Sequence, residues 1–185
     1  WCATGLVLPH FIIGGKIVLQ SIVFPTLRIS MPMPDALYPI YRVRFSEVHH
    51  HVIEVELWIA AFDSDDEEPS VVRPLELVFP VWTPGSYMVR EYTRNIEALS
   101  AAEYDRPDGE LAKVLSLQRH GKNRWRIAAA SPQSTVCVRY RLYCREMSVR
   151  TNWVERDYGF LTGAATFPYI DGRQDAPVQL QLELP

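Results

Sequence analysis

Long unbroken apolar runs, helical periodicity and metal-ligand spacing are all missing from this 185-residue sequence. Cysteine is scarce: Cys2, Cys137 and Cys144 form an odd set with no C-x-x-C pair and no Cys/His spacing of a structural zinc site. Cys137 and Cys144 fall in one expected strand, where seven residues rise about 23 Å, far beyond disulfide reach. Reduced thiols and a cytoplasmic setting are therefore expected. No Lys- or Arg-rich run occurs, and a net charge of -3 with both signs interspersed offers no surface that tracks phosphates, so nucleic acid is not an expected partner.

Residues 1–29 are apolar but interrupted by Pro9, Gly14, Gly15, Lys16 and Pro25, too broken for a membrane-spanning helix and without a secretory cleavage site. Residues 1–32 thus read as a poorly structured extension ahead of a β-rich domain over 33–185. Neither a membrane partner nor export is expected.

Catalytic motifs are missing too. H-E-x-x-H does not occur; His49, His50 and His51 are adjacent, and on a strand only His49 and His51 share a face, a weak zinc site without a third ligand. There is no G-x-S-x-G elbow, and Ser86 in Pro-Gly-Ser-Tyr is explained by turn geometry. Phosphate loops of the G-x-x-x-x-G-K and G-x-G-x-x-G types are also lacking. Glu54 and Glu56 share a strand face that is expected to be exposed, whereas paired-carboxylate catalysis needs one acid in an apolar pocket.

What is present is alternation. With 48% hydrophobic and 22% charged residues the chain can bury a core. In HVIEVELWIAAF, Ile53, Val55, Leu57 and Ile59 fall on one face and Glu54, Glu56 and Trp58 on the other. PLELVFPVW places Leu75, Leu77, Phe79 and Val81 together, with Pro80 pointing to an edge strand or a bulge. STVCVRYRLYCREMSV puts Val136, Val138, Tyr140, Leu142 and Cys144 opposite Cys137, Arg139, Arg141, Tyr143 and Arg145. The acidic run 63–68 reads as a solvated loop, MVREYTRNIEALSAAEYD as extended, and PVQLQLELP as a last alternating strand. The fold class expected is all-β, an antiparallel β-sandwich or curved open sheet of about eight strands.

The most informative stretch is LVFPVWTPGSYMVREYTRN, residues 77–95. Pro84 and Gly85 suit the centre of a tight turn, Trp82 and Tyr87 flank it, and Arg90, Glu91 and Arg94 follow. This stretch resembles the P-x-W-x-P-G-S-Y-x-x-R-E-(F/Y)-x-R-N pattern of the N-terminal domain of the glycyl-aminopeptidase family, metallopeptidase family sixty-one. The opening strands YRVRFSEVHHHVIEVELWI and the later WRI and VRYRLYCREMSVRTNWVERDYGFLTGAATFPYIDG are similar to the same family, from about Tyr41 to Pro185. Here Leu161-Thr162-Gly163 departs from the family's Asn-Gly step, which bears on local contacts.

The resemblance implies a parent zinc aminopeptidase that releases N-terminal glycine or alanine, with the metal and its ligands in a catalytic domain beyond residue 185. No cofactor is then expected in this segment, and its partners would be that downstream domain and the peptide substrate. Trp82, Gly85, Ser86, Tyr87, Arg90, Glu91, Arg94, Arg150 and Asn152 form the candidate interface or substrate-cleft set, being rich in arginine and aromatic residues as interface centres are. Internal ion pairs and corner packing explain the same set equally. A different reading is a free-standing carbohydrate- or peptide-binding module with Trp58, Trp82, Trp125 or Trp153 as a stacking platform.

Overall fold

The computed structural model describes residues 16–19, 39–60, 74–131 and 134–184. The strands in chain order are β1 (Lys16–Leu19), β2 (Ile40–Glu47), β3 (Val52–Ala60), β4 (Leu75–Val78), β5 (Ile96–Tyr104), β6 (Leu111–Leu115), β7 (Leu117–Arg119), β8 (Arg124–Ile127), β9 (Thr135–Tyr143), β10 (Trp153–Val154), β11 (Tyr158–Leu161), β12 (Tyr169–Ile170) and β13 (Gln179–Glu183). One short helix, α1 (Gly163–Thr166), interrupts them. The acidic run 63–68 lies outside the described residues, as does all of 1–32 except β1, which pairs in parallel with β11.

Three sheets result: β13-β2-β3-β9-β5-β6, β12-β4-β8-β7 and β1-β11-β10. The fold is all-β, and among the described residues no sheet closes into a barrel. Pairing is antiparallel except where β13 lies parallel to β2 and β1 to β11. The segment 111–119 divides at Ser116: β6 pairs with β5 in the large sheet, while β7 pairs with β8 in the four-stranded one.

Alternation explains the core. Val55 and Leu57 of β3 and Val138, Tyr140 and Leu142 of β9 share one hydrophobic cluster with Leu77, Phe79 and Ile127 from the four-stranded sheet, so the two sheets face each other across it. Cys144 lies in that cluster, whereas Cys137 lies with Ile40, Trp58 and Tyr104 on the opposite face of the large sheet. Both thiols are free and buried.

Four local expectations are corrected. β4 ends at Val78, before Pro80, and runs between β12 and β8, so it is an interior strand and the proline follows it. The stretch before Ile96 is not extended: Tyr92–Asn95 is a 3-10 turn. Val48–His50 is likewise a 3-10 turn with His51 left-handed at φ 58°, which removes the strand on which His49 and His51 would share a face. Finally, Glu56 and Trp58 are 3% and 2% exposed, so the second face of β3 is covered. A neighbouring layer of arginine side chains and Tyr104 lies over it, which the alternation of a single strand does not reveal.

Candidate functional site at the proline-glycine corner

Beyond β4, the chain is anchored before it leaves the sheet. Phe79 is buried with its ring edge-on to Trp125 and Tyr140, and its amide and carbonyl bond to Asn123, whose Nδ2 donates to the Phe79 carbonyl at 2.7 Å. The Arg90 amide donates to the Val81 carbonyl at 2.7 Å and closes a loop. At its tip the Ser86 amide donates to the Thr83 carbonyl at 3.0 Å, and Gly85 takes φ +81°. Proline followed by a positive-φ glycine is the pairing such a turn requires. Trp82 Nε1 donates to the Ser86 carbonyl at 2.8 Å and Ser86 Oγ to the Met88 carbonyl at 2.8 Å, so the loop is self-bonded.

A second segment, residues 144–153, meets the tip. Arg150 Nη2 donates to the Gly85 carbonyl. Next to it, Asn152 is buried: its Nδ2 donates to Thr166 Oγ1 at 3.0 Å and its Oδ1 accepts from the Thr162 amide at 2.7 Å. Thr162, at the departure from the family step, is thus tied to Asn152 and fixes the start of α1. Asn152 is thus 5% exposed, with its side-chain amide bonded within the domain.

The remaining candidates divide. Glu91 pairs with Lys122 at 2.7 Å and Arg94 with Glu146 at 2.6 Å, both on the surface. Such exposed pairs contribute little. Tyr87 is fully exposed and Trp82 is 51% exposed, and Met88, Val89, Met147 and Val149 are exposed with them on the two loops that Arg150 joins. Met147 and Val149 were not singled out from the sequence; their membership depends on the Arg150 contact, which spans 65 residues.

Beneath the corner, Arg90 Nε is buried without a hydrogen-bond partner, and the buried Tyr92 hydroxyl lies beside the Thr83 side chain. Burial raises the Tyr92 phenol above its ordinary pKa, and the positive charges of Arg90 and then Arg150 oppose that rise.

The outer face of the large sheet carries a second polar group that sequence reading missed. Glu56 accepts hydrogen bonds from Arg44 at 2.8 Å, Arg139 at 2.9 Å, Arg42 at 3.3 Å and Trp58 Nε1 at 3.0 Å. Asp108, left-handed at φ 58°, takes the other side of Arg42 at 2.6 and 2.7 Å. Burial alone would raise the Glu56 carboxyl, but these donors outweigh it and hold it below the ordinary carboxylate range. A cavity of about 310 Å³ opens beside it, lined by Arg44, Glu54, Glu56, Asp108, Arg139 and Arg141 among others, at the β5 bulge where Ala98 has φ 51°. The available sequence signal was the matched alternation of Arg42 and Arg44, Glu54 and Glu56, and Arg139 and Arg141 on three successive strands.

His51 Nδ1 bonds the Val154 carbonyl at 2.6 Å, while His49 and His50 are exposed. Among the described residues no three His, Cys, Asp or Glu side chains gather as a metal ion requires, so the zinc implied by the resemblance does not fit a site in them. The tryptophan platform fails at Trp58, which is buried, and Trp125 and Trp153 are half-buried; Trp82 is the exposed one. Among the described residues no helix is long and apolar enough to cross a membrane.

The Peptidase M61 N-terminal domain family matches residues 40–185. The crystal structure of an aminopeptidase N family protein from Idiomarina loihiensis is similar at 28% identity with a TM-score of 0.65, over 80% of this chain and 22% of that one. The chain thus spans about a fifth of that protein's length. No curated protein matches.

Proposed function

Because the chain belongs to the peptidase M61 N-terminal domain family, we propose that it is the non-catalytic β-sandwich part of a cytoplasmic zinc aminopeptidase acting on peptides with N-terminal glycine or alanine. Its proline-glycine corner packs on the catalytic domain and helps wall the cleft that admits the peptide. The observation that carries this reading is the exposed set Trp82, Tyr87, Met88, Val89, Met147 and Val149 on two loops locked together by Arg150. Clustered apolar side chains held on a self-bonded loop are disfavoured in water and suit a contact surface. Zinc in such an enzyme supplies a Lewis acid and an activated water. This chain's residues contribute binding surface: Trp82 is oriented by its bond to the Ser86 carbonyl, and Tyr87 projects fully from the turn.

The test begins with the reading frame beyond residue 185, which should encode H-E-x-x-H and a later glutamate. In that full product, Trp82→Ala and Tyr87→Ala should lower kcat/KM for glycyl and alanyl anilides about tenfold, roughly 1.4 kcal/mol, with an unchanged melting temperature. Normal kinetics in both variants would remove the cleft role.

A further inference from the structure

The cavity on the outer face of the large sheet holds charges that are not all spoken for. By register, Glu54 of β3 stands opposite Arg44 of β2 on one side and Arg141 of β9 on the other. Opposite charges facing each other across strands ordinarily pair. Here both arginines turn away: Arg44 reaches Glu56 at 2.8 Å and Glu183 at 2.7 Å, and Arg141 reaches Glu47 at 2.7 Å. Glu54 is half-buried and forms no hydrogen bond or ion pair among the described residues. The other two lining carboxylates are saturated, Glu56 accepting four hydrogen bonds and Asp108 giving both oxygens to Arg42. Donors are left over as well. Arg44 spends its Nε and Nη1, Arg139 its Nε and Nη1, and Arg141 its Nη2, so each guanidinium keeps a terminal nitrogen without a hydrogen bond among the described residues. The three side chains are 34%, 46% and 38% exposed, which leaves those nitrogens within reach of a solute.

The backbone gives a second, separate sign. The pairing of β5 with β9 shifts register between Glu97 and Ser100, Ala98 takes φ 51° in that bulge, and Asp108 takes φ 58°. Both residues line the cavity. Bulges and left-handed backbone at residues other than glycine are disfavoured locally and gather at binding sites.

We propose that this cavity binds a free α-amino acid, with its ammonium on Glu54 and its carboxylate on the spare N–H groups of Arg139 and Arg141. A simple anion would meet the unpaired Glu54 carboxylate, and a simple cation would meet three guanidinium groups. A small zwitterion meets both with charge-assisted hydrogen bonds at each end. The volume of about 310 Å³ stands at the lower end of small-molecule sites and suits a ligand of this size. The inference is independent of the packing reading, because every residue in it lies on the outer face of the large sheet or its rim.

The test titrates the whole product of the gene carrying residues 1–185 with alanine, and with propionate and isopropylamine, which are alanine without its ammonium and without its carboxylate. Calorimetry should show saturable binding of alanine, with both singly charged analogues at least tenfold weaker. Glu54→Gln removes no bond of the fold, so its melting temperature should match the parent while alanine binding falls at least tenfold. Arg141→Gln should weaken alanine similarly, and Arg126→Gln, which breaks the Glu76 pair outside the cavity, should leave it unchanged. Propionate binding as tightly as alanine would overturn the proposal in favour of an anion site, and isopropylamine doing so would overturn it in favour of an amine site. Alanine binding untouched by Glu54→Gln would place the ligand elsewhere, and no saturable binding at all would remove the site. Should Arg141→Gln lower the melting temperature, the three probes on the parent and the Glu54→Gln variant still decide.

Discussion

The indole N–H of Trp58 donates at 3.0 Å to Glu56, two positions earlier on the same strand face, and so places a tryptophan donor beside a carboxylate that three arginines also grip. Arg139 completes the layer: its guanidinium lies 5.7 Å from the Trp58 ring centre and 5.4 Å from that of Tyr104. A buried acid becomes tolerable in this setting because its charge is matched by the arginines and both of its oxygens accept hydrogen bonds.

Replacing Glu56 by Gln should destabilise the domain by about 2–3 kcal/mol, below the range for a fully dry pair because Arg44 and Arg139 are partly solvated. Urea unfolding should show a lower midpoint with an unchanged slope.

Stability should fall in acid through the same residue. The folded Glu56 carboxyl has a pKa below its unfolded value, burial being outweighed by the Trp58 and arginine donors. Its contribution is therefore complete above the unfolded value, about 4.3, and is lost as pH drops through the lower folded value. Asp108, lowered by its bonds to Arg42, acts in the same direction. Unfolding free energy measured between about pH 6 and pH 2 should decline in the parent and more shallowly in Glu56→Gln; parallel curves would contradict this assignment.

Gly85→Ala should loosen the corner. A side chain at φ +81° is strained even though the space around Gly85 is open, the nearest atom being Arg150 Nη2 at 3.9 Å. The expected cost is about 1 kcal/mol, read as faster proteolysis between Val81 and Arg90 with little change in the unfolding midpoint of the sandwich.

Thiol chemistry should be silent in the folded domain. Burial pushes Cys137 and Cys144 each up to about 12, and the two occupy opposite faces of the large sheet. At pH 8 a disulfide reagent should modify these two positions only as fast as the domain opens. Rapid native-state labelling of either would show that the strand ends fray.

The proline-glycine corner was legible because its turn is local: Pro84 sets one dihedral, Gly85 permits the next, and the flanking aromatic residues stand close in the chain. The roles of Arg90, Arg150 and Asn152 were not legible from neighbours in sequence. Asn152 turned out to be buried against Thr162 and Thr166, and Arg150 is defined by a carbonyl 65 residues away.

Period-two alternation by itself determined that the chain is all-β and which face of β3 and β9 is core, since successive side chains on a strand must point to opposite sides. Tertiary structure alone decided what covers the second face of β3. It also decided that Pro80 follows an interior strand, and that Arg150 is held by the Gly85 carbonyl. Each of these depends on the register of one strand against another and on a loop returning over the sheet. Such long-range pairings leave no period in the sequence of any one segment.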